Sequence, residues 1–411
     1  MRRITTVVVG AGQAGLAMSH CLSERSVEHV VLDRGEVAQS WRSQRWDSLR
    51  LLTPRWQSRL PGHDYRGPDA DGYMSMSEVV DLLSAYAGRA RAPIETRSGV
   101  HAITPHGEGY RVATQHGEWQ CRQVVLATGA CQVAHVPALS AALPSDVVQL
   151  TPLTYRNPDQ LPSGPVLVVG ASASGMQLAA ELRAAGREVT LAVGEHIRMP
   201  RHYRGRDIQW WMDRAGLLDV HADEVDDIER ARRVPSLQLM GAPERQWLDL
   251  NSLQDAGVRI AGRLVDVRDG HALFAGSLAN LCALSDLKMN RLLDSVDAWA
   301  AVAMPDHVPP PQRFAPTRCP AMPPLRLPLS GGRVRSVIWA TGFRPDFSCL
   351  RLPVFDTRGR LRHQQGHVAP GLVVLGLPFL RRRKSALLDG VGDDARELAD
   401  HLARSLGRQA A

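Results

Sequence analysis

The chain has 411 residues, of which 44% are hydrophobic and 22% charged, and its formal net charge is +7. This length is sufficient for two or three packed units, and the composition excludes a disordered or fibrous protein. The positive charge is almost entirely arginine, and the one basic run, residues 381–384, has no interleaved aromatic residues, so we expect no nucleic-acid partner.

The N-terminal residues predict a strand, a glycine-rich turn and a helix. A β-branched apolar run at residues 4–9 precedes the pattern G-x-G-x-x-G, and residues 16–23 follow as a helix. In this context Gly10 makes the tight turn, Gly12 lets a pyrophosphate approach the backbone, and Gly15 lets the helix pack against the strand. This order of elements predicts a dinucleotide site.

The strand that follows this helix ends at Asp33. A carboxylate at that place accepts hydrogen bonds from the ribose hydroxyls of a dinucleotide. We therefore assign the following residues to a first dinucleotide site: Gly10, Gly12, Gln13, Ala14, Gly15, Asp33 and Arg34.

The stretch SWRSQRWDSLRLLTP, residues 40–54, is expected to run from this ribose site toward the reactive end of the nucleotide. Ser40 and Trp41 are placed at the cofactor, where the indole can cover a flat ring. As catalytic candidates we take Trp41, Arg45 and Arg50, because a guanidinium can stabilise negative charge that develops on the ring. The alternative is that the tryptophan packs in the core and the arginines lie on the surface.

Residues 165–182, PVLVVGASASGMQLAAEL, repeat the first unit. The second copy keeps Gly170 and Gly175, but Ser172 replaces the middle glycine. A Cβ at that position displaces a phosphate slightly outward, while the hydroxyl can donate a hydrogen bond to it, which favours a nucleotide that exchanges. We assign the following residues to this second site: Gly170, Ser172, Ala173, Ser174 and Gly175.

The position that matches Asp33 in the second copy is Val193, so no carboxylate stands there to repel a 2′-phosphate. Downstream, Arg198 and Arg201 offer guanidinium groups, the usual partners of phosphate. These residues predict NADPH rather than NADH at the second site. A solvated basic loop is the alternative.

A resident flavin and a transient nicotinamide are the expected pair of dinucleotides, since hydride passes between them. Two apolar strands end in ATG, at residues 124–129 and 337–342, which places Thr128, Gly129, Thr341 and Gly342 near the nucleotides. The first is predicted to close the N-terminal part of the flavin unit, and the second to mark the return of the chain to that unit. Gly390 and Val391 stand at the start of a predicted closing helix, whose N-terminal amides are expected to face the flavin or a phosphate.

These elements predict an α/β fold with two Rossmann-like domains, the NADPH domain being inserted into a discontinuous FAD domain. Proline-rich segments suggest the boundaries: residues 1–163 and 329–411 for the FAD domain, and 164–328 for the NADPH domain. No apolar run is long enough to span a membrane and no export signal is recognised, so we expect a cytoplasmic protein without a membrane partner. The six cysteines have no C-x-x-C or metal-ligand spacing, and we expect no metal.

The ordered set of motifs resembles the flavin-containing monooxygenase family, in particular bacterial single-chain enzymes distantly related to plant indole-pyruvate monooxygenases. The motifs are GAGQAG, Asp33, residues 40–54, the first ATG, GASASG and ATGFRPDF at residues 340–347. The resemblance implies that NADPH reduces bound FAD, and that O₂ then forms a flavin C4a-(hydro)peroxide. That species would oxygenate a heteroatom or a carbonyl of a small organic substrate.

Two departures from the family pattern concern the oxygenation step: Thr151 stands where members carry a histidine, and Leu52 near the place of an asparagine beside the flavin. A flavin reductase that passes electrons on without oxygenation is therefore a first alternative, although disulfide reduction is disfavoured because the sequence has no closely spaced cysteine pair. A non-enzymatic redox sensor that binds both nucleotides is the second.

Overall fold

The computed structural model describes residues 1–244, 247–305 and 308–409. Its first sheet is built around the N-terminal strand Arg2–Val9, which pairs in parallel with both of its neighbours. The strands of this sheet lie in the order His367–Ala369, Leu372–Val374, Gly117–Leu126, Arg2–Val9, His29–Leu32 and Ile94–Glu95, while Val100–His106 and Gly109–Thr114 extend it beside Gly117–Leu126. Helices cover the central parallel strands, and the carboxyl-terminal parts of these strands, residues 7–9 and 124–126, are accordingly apolar and buried.

The second sheet repeats this plan with five strands, all paired in parallel. Its order is Arg259–Ala261, Val189–Ala192, Val166–Val169, Ser336–Trp339 and Val148–Leu150. The α/β fold with two Rossmann-like sheets, as the sequence predicts, is therefore present.

The strand Ser336–Trp339 corrects one expectation. From its place in the sequence this segment is predicted to belong to the first unit, but it pairs with Val166–Val169 of the second sheet. Val148–Leu150, expected in the first unit, pairs with its other side. An apolar run followed by ATG does not reveal which sheet it joins. The exact boundaries at 163 and 328 stay predictions.

Helices connect and cover the strands in both units. The described helices are Gln13–Glu24, Gln39–Ser43, Met76–Arg89, Ala173–Ala184, Ile208–Arg214, Ile228–Arg232, Leu250–Asp255, Leu278–Ala303 and Leu388–Gln409. Small two- and three-stranded sheets complete the fold: Ile197–Arg198 with Leu237–Gln238, His202–Tyr203 with Arg206–Asp207, Leu264–Arg268 with His271–Phe274 and Arg326–Pro328, and Val133–Ala134 with Phe343–Arg344. Within the described ranges, none of the helices is both long and apolar enough to cross a membrane.

Candidate functional site: two glycine loops joined by a strand pair

The first glycine loop, residues 10–15, has the geometry of a dinucleotide cradle. Gly10 has a φ of +110°, and a Cβ on it would lie 2.5 Å from the carbonyl oxygen of Ala127. A Cβ on Gly15 would lie 1.7 Å from the carbonyl oxygen of Gly10. By contrast, no atom lies within 4 Å of the place that a Cβ on Gly12 would take. Two glycines are thus required by packing, and the third faces open space where a pyrophosphate fits.

Polar groups of the right kind surround this open space. The Asp33 carboxylate accepts hydrogen bonds from the backbone amides of Ala11, at 2.7 Å, and Gly35, at 2.8 Å. A carboxylate has about four acceptor sites, so it can still accept from ribose hydroxyls. The Thr128 hydroxyl, at the end of the neighbouring strand, is buried and has no hydrogen-bond partner among the described residues. An orphaned hydroxyl beside an open cradle fits a bound FAD.

Trp41 and Arg45 lie beside the first glycine loop. Trp41, on the helix Gln39–Ser43, donates a hydrogen bond from Nε1 to Oε1 of Gln13 at 3.3 Å. The Arg45 guanidinium carbon lies 5.1 Å from the centroid of the Trp41 ring. Burial lowers the pKa of Arg45, yet a guanidinium keeps its charge at neutral pH. Ser40 is half-buried on the same helix.

The other catalytic candidate, Arg50, has different neighbours. Its Nη1 donates to the carbonyl oxygen of Tyr73 at 2.9 Å and lies 3.9 Å from the Glu78 carboxylate. These contacts connect Arg50 with the helix Met76–Arg89. None of these contacts involves the first glycine loop, and the catalytic role of Arg50 stays a prediction.

The second glycine loop, residues 170–175, repeats the cradle. Gly170 has a φ of +109°, and a Cβ on Gly175 would lie 1.8 Å from its carbonyl oxygen. Ser172 is the residue that precedes the helix Ala173–Ala184, and its hydroxyl makes no capping hydrogen bond. This hydroxyl is free to donate to a phosphate at the helix N-terminus. Ser174 is half-buried on the first turn of the same helix, and Ala173 is buried.

The two ATG phrases connect the cradles directly. A Cβ on Gly170 would lie 2.3 Å from the Ala340 carbonyl oxygen, just as Gly10 packs on Ala127. After each phrase the chain enters a short strand, and these strands, Val133–Ala134 and Phe343–Arg344, pair with each other. The glycines of both phrases are left-handed, Gly129 at φ +86° and Gly342 at +99°. Thr341 donates its hydroxyl hydrogen to the carbonyl oxygen of His135, on the first-sheet side of this link.

The structure corrects the assignment of Arg198 and Arg201 to a nucleotide phosphate. Arg198 is 2% exposed, and its guanidinium bonds Asp249 at 2.7 Å and Asp286 at 2.9 Å. Arg201 is 1% exposed and forms a buried ion pair with Asp207 at 2.5 Å. Both guanidinium groups are enclosed and already paired with carboxylates, so neither can receive a phosphate from solvent.

Gly390 and Val391 are also placed differently than expected. Both lie on the first turn of the helix Leu388–Gln409, but their amides donate to the Leu387 carbonyl oxygen at 3.2 and 3.1 Å. A Cβ on Gly390 would lie 2.0 Å from the Lys384 carbonyl oxygen, and the Val391 side chain is in the core. These two residues serve packing, and their amides are not available to a flavin.

Gln57 is a candidate that the sequence analysis missed. It is fully buried, and neither its amide oxygen nor its amide nitrogen has a hydrogen-bond partner in the described part of the chain. Buried amides are normally paired, so this side chain is a candidate to bind a ligand. A single glutamine in a loop gives no pattern that could have revealed it.

Two cysteines that are distant in sequence are neighbours in the fold. Burial raises the pKa of the Cys282 thiol, and a hydrogen bond with Cys319 raises it further. Since the thiolate is the reactive form, a thiol with a raised pKa is a poor nucleophile. The prediction concerned cysteines that are close in sequence, whereas these two thiols meet only in the fold. The raised pKa leaves the Cys282 thiol without the activation that disulfide exchange requires.

The C-terminal helix contains a buried carboxyl group with an unusual pKa. Asp394 is 0% exposed and accepts a hydrogen bond from Arg382 at 2.9 Å. Burial raises its pKa from 3.8 to about 6, against the opposing effect of the Arg382 charge. The stabilising contribution of its protonated form is therefore fully present below about pH 4 and is lost as the pH rises through 6.

We expect Asp394→Asn to remove this pH dependence. Between pH 4.5 and 7.5 the free energy of unfolding of the unsubstituted protein should fall, relative to the variant, by about 2 kcal/mol. Urea unfolding at both pH values measures this difference. Asp393→Asn, at a partly exposed neighbour, is the matched control. Parallel pH profiles of the unsubstituted protein and Asp394→Asn would contradict the prediction.

Comparison with known proteins supports this reading of the fold. A family model for pyridine nucleotide-disulphide oxidoreductases matches residues 7–212. An uncharacterized CzcO-like oxidoreductase of Geobacillus kaustophilus is 32% identical over 403 residues, 97% of this chain and 98% of that protein. A probable indole-3-pyruvate monooxygenase of Arabidopsis thaliana is 31% identical over 182 residues, 43% of this chain and 44% of that protein. The structure of a flavin-containing monooxygenase from Stenotrophomonas maltophilia has a TM-score of 0.65 at 22% identity, covering 99% of this chain and 100% of that one.

The two cradles and their shared link define a flavoprotein oxidoreductase with two dinucleotide-binding units. The chain belongs to the pyridine nucleotide-disulphide oxidoreductase family. The resemblance to flavin-containing monooxygenases is confirmed, and the chain is an enzyme of the oxidoreductase class. Members of the flavin monooxygenase family use FAD and NADPH.

Proposed function

We propose that the chain is an FAD- and NADPH-dependent monooxygenase that acts on a small organic molecule in the cytoplasm. Each turnover would consume one substrate, one NADPH, one proton and one O₂, and would release oxygenated product, NADP⁺ and water. When bound, FAD supplies the hydride acceptor for NADPH and the position at which O₂ is activated. The oxygenated atom would be a heteroatom or a carbonyl carbon.

The observation that carries this proposal is the link between the two cradles. Ala127 and Ala340 support the first glycine of their respective loops, and the chain runs from each to one strand of the pair Val133–Ala134 and Phe343–Arg344. Such a link would hold two dinucleotide sites close to one another, which would favour hydride transfer between their occupants. Binding of a single nucleotide would not require the second cradle.

Under this proposal the residues of the chain hold the two nucleotides, orient them toward each other and shield the reacting atoms from water. FAD would be held by Gly10, Gly12, Gln13, Ala14, Gly15, Asp33, Arg34, Ser40, Trp41, Thr128 and Gly129, and NADPH by Gly170, Ser172, Ala173, Ser174, Gly175, Thr341 and Gly342. Arg45 would place positive charge where negative charge develops during reduction and oxygen activation. Trp41 would fix the Arg45 guanidinium by ring contact and exclude water.

The test uses the purified protein with its flavin. We expect FAD to be reduced by NADPH without O₂, and reoxidation on mixing with O₂ to show a transient absorbance that differs from both oxidised and reduced FAD. A thioether, a tertiary amine and a cyclic ketone serve as probe substrates, and at least one should gain a single oxygen atom. Immediate reoxidation with one hydrogen peroxide per NADPH and no oxygenated probe would favour the reductase. Failure of NADPH to reduce the flavin would favour the sensor.

Substitution of Arg45 by methionine tests its proposed role. Loss of the guanidinium charge is expected to raise the rate of hydrogen peroxide release per enzyme, without a probe substrate, by about tenfold or more. A peroxide assay measures this release, and absorbance at 450 nm reports whether FAD is retained. Arg122→Met is the matched control, since Arg122 is exposed on the strand Gly117–Leu126. An Arg45→Met protein that behaves like the control would remove Arg45 from the mechanism.

A further inference from the structure

The residue that recognises the 2′-phosphate of NADPH is not the one that the sequence suggests. In a Rossmann unit this phosphate lies beyond the carboxyl end of the second strand, here Val189–Ala192. Val193, which follows that strand, is 0% exposed and apolar, and Arg198 and Arg201 are enclosed by carboxylates. The charge that selects a phosphate must therefore come from another segment.

Arg263 stands at the required place. The strand Arg259–Ala261 pairs in parallel with Val189–Ala192, with Ala261 opposite Ala192, so both strands end at the same edge of the sheet. The chain continues from Ala261 to Arg263 within two residues. The Cγ and Cδ atoms of Arg263 lie 3.8 and 4.0 Å from the place that a Cβ on Gly194 would take. The arginine stem thus lies over the residue that follows Val193.

The backbone of Arg263 is held firmly while its guanidinium is free. Its carbonyl oxygen accepts a hydrogen bond from the Ala275 amide at 2.9 Å, and a Cβ on Gly262 would lie 2.0 Å from the Ala275 carbonyl oxygen. The side chain is exposed, and within residues 1–244, 247–305 and 308–409 no partner is recorded for its guanidinium. A fixed stem with five unused donors is suited to a phosphate.

The acidic residue that follows Gly194 is paired with a lysine. Glu195 follows Gly194 and would repel a phosphate, but Nζ of Lys288 lies 2.7 Å from its Oε1. Lys288 belongs to the helix Leu278–Ala303 and is one of only two lysines in the chain. The pairing with Lys288 reduces the repulsion that Glu195 would exert on a phosphate bound by Arg263.

We propose that Arg263 binds the 2′-phosphate of NADPH and thereby selects NADPH over NADH, with Lys288 suppressing the repulsion by Glu195. The inference rests on the proposed use of NADPH at the second glycine loop. Recognition comes from the strand that neighbours Val189–Ala192 rather than from the segment directly after it.

Binding of NADP⁺ and NAD⁺ to the oxidised, FAD-loaded protein, measured by calorimetry, tests the proposal without turnover. Arg263→Gln is expected to weaken NADP⁺ binding about tenfold to a hundredfold, because it removes a charged hydrogen bond, and to leave NAD⁺ binding within about twofold. Arg263→Lys should restore part of the NADP⁺ affinity. Arg268→Gln, an exposed arginine at the other end of the strand Leu264–Arg268, is the control.

A second variant addresses the neutralised carboxylate. Lys288→Met should weaken NADP⁺ binding, and the double variant with Glu195→Gln should recover it. If Arg263→Gln weakens both nucleotides equally, or neither, the assignment of Arg263 is overturned while the proposed function stands. If the unsubstituted protein binds NADP⁺ no more tightly than NAD⁺, the use of NADPH fails and this inference fails with it.

Discussion

Replacement of Gly12 with valine is expected to give a protein that folds normally but no longer retains FAD. Gly12 has φ −86° and ψ −172°, an extended conformation that a valine adopts without strain. No atom of the surrounding structure lies within 4 Å of the added Cβ. The valine side chain would fill the space over the N-terminus of the helix Gln13–Glu24, which is where the proposed site would hold the pyrophosphate of FAD.

The measurement compares flavin content with stability. The ratio of absorbance at 450 and 280 nm after incubation with excess FAD should fall to that of a flavin-free protein, while urea unfolding should match that of the unsubstituted protein stripped of FAD. Gly15→Val is the informative contrast, because its side chain would collide with the Gly10 carbonyl oxygen. That variant should lose both flavin and fold. A Gly12→Val protein that keeps a full complement of FAD would show that the cradle binds something else.

The sequence predicts the two cradles because their signals are local. A β-branched run, three glycines at fixed spacing and a helix are consecutive in the chain, and each glycine has one steric reason for being there. The predicted strand at residues 4–9 is Arg2–Val9, and the predicted helix at 16–23 is Gln13–Glu24. Apart from small differences in where each element begins and ends, short-range sequence patterns were sufficient to predict this strand and this helix.

The charged residues of the second site could not be predicted in the same way. Whether an arginine faces solvent or a buried carboxylate depends on residues that are far away in sequence. Asp249 and Asp286, the partners of Arg198, are 51 and 88 positions distant. Arg263 was overlooked for the converse reason, since its place beside Gly194 follows only from the parallel pairing of Arg259–Ala261 with Val189–Ala192.

Arg198→Met is expected to destabilise the protein without changing the choice of nucleotide. The variant leaves two carboxylates, Asp249 and Asp286, largely buried and without their shared cation. Removal of one partner from a buried ion pair costs about 3–5 kcal/mol. The ring of Trp247, 4.7 Å from the Arg198 guanidinium carbon, also loses a cation–π contact. Urea unfolding measures this loss, and the ratio of NADP⁺ to NAD⁺ affinity, measured well below the melting temperature, should not change.

A triple variant distinguishes uncompensated charge from lost packing volume as the cause of this instability. In the triple variant Arg198→Met, Asp249→Asn, Asp286→Asn, the carboxylates left by the arginine are neutral, and an asparagine still accepts the Ser252 amide hydrogen bond that Asp249 accepts at the start of the helix Leu250–Asp255. If the triple variant recovers most of the free energy of unfolding that Arg198→Met loses, uncompensated charge is the cause. A single variant as stable as the unsubstituted protein, with a reduced preference for NADP⁺, would instead return Arg198 to the nucleotide site. Opposite results are therefore expected for the two arginines. Arg198→Met should lose stability and keep its preference for NADP⁺, whereas Arg263→Gln should lose that preference and keep its stability.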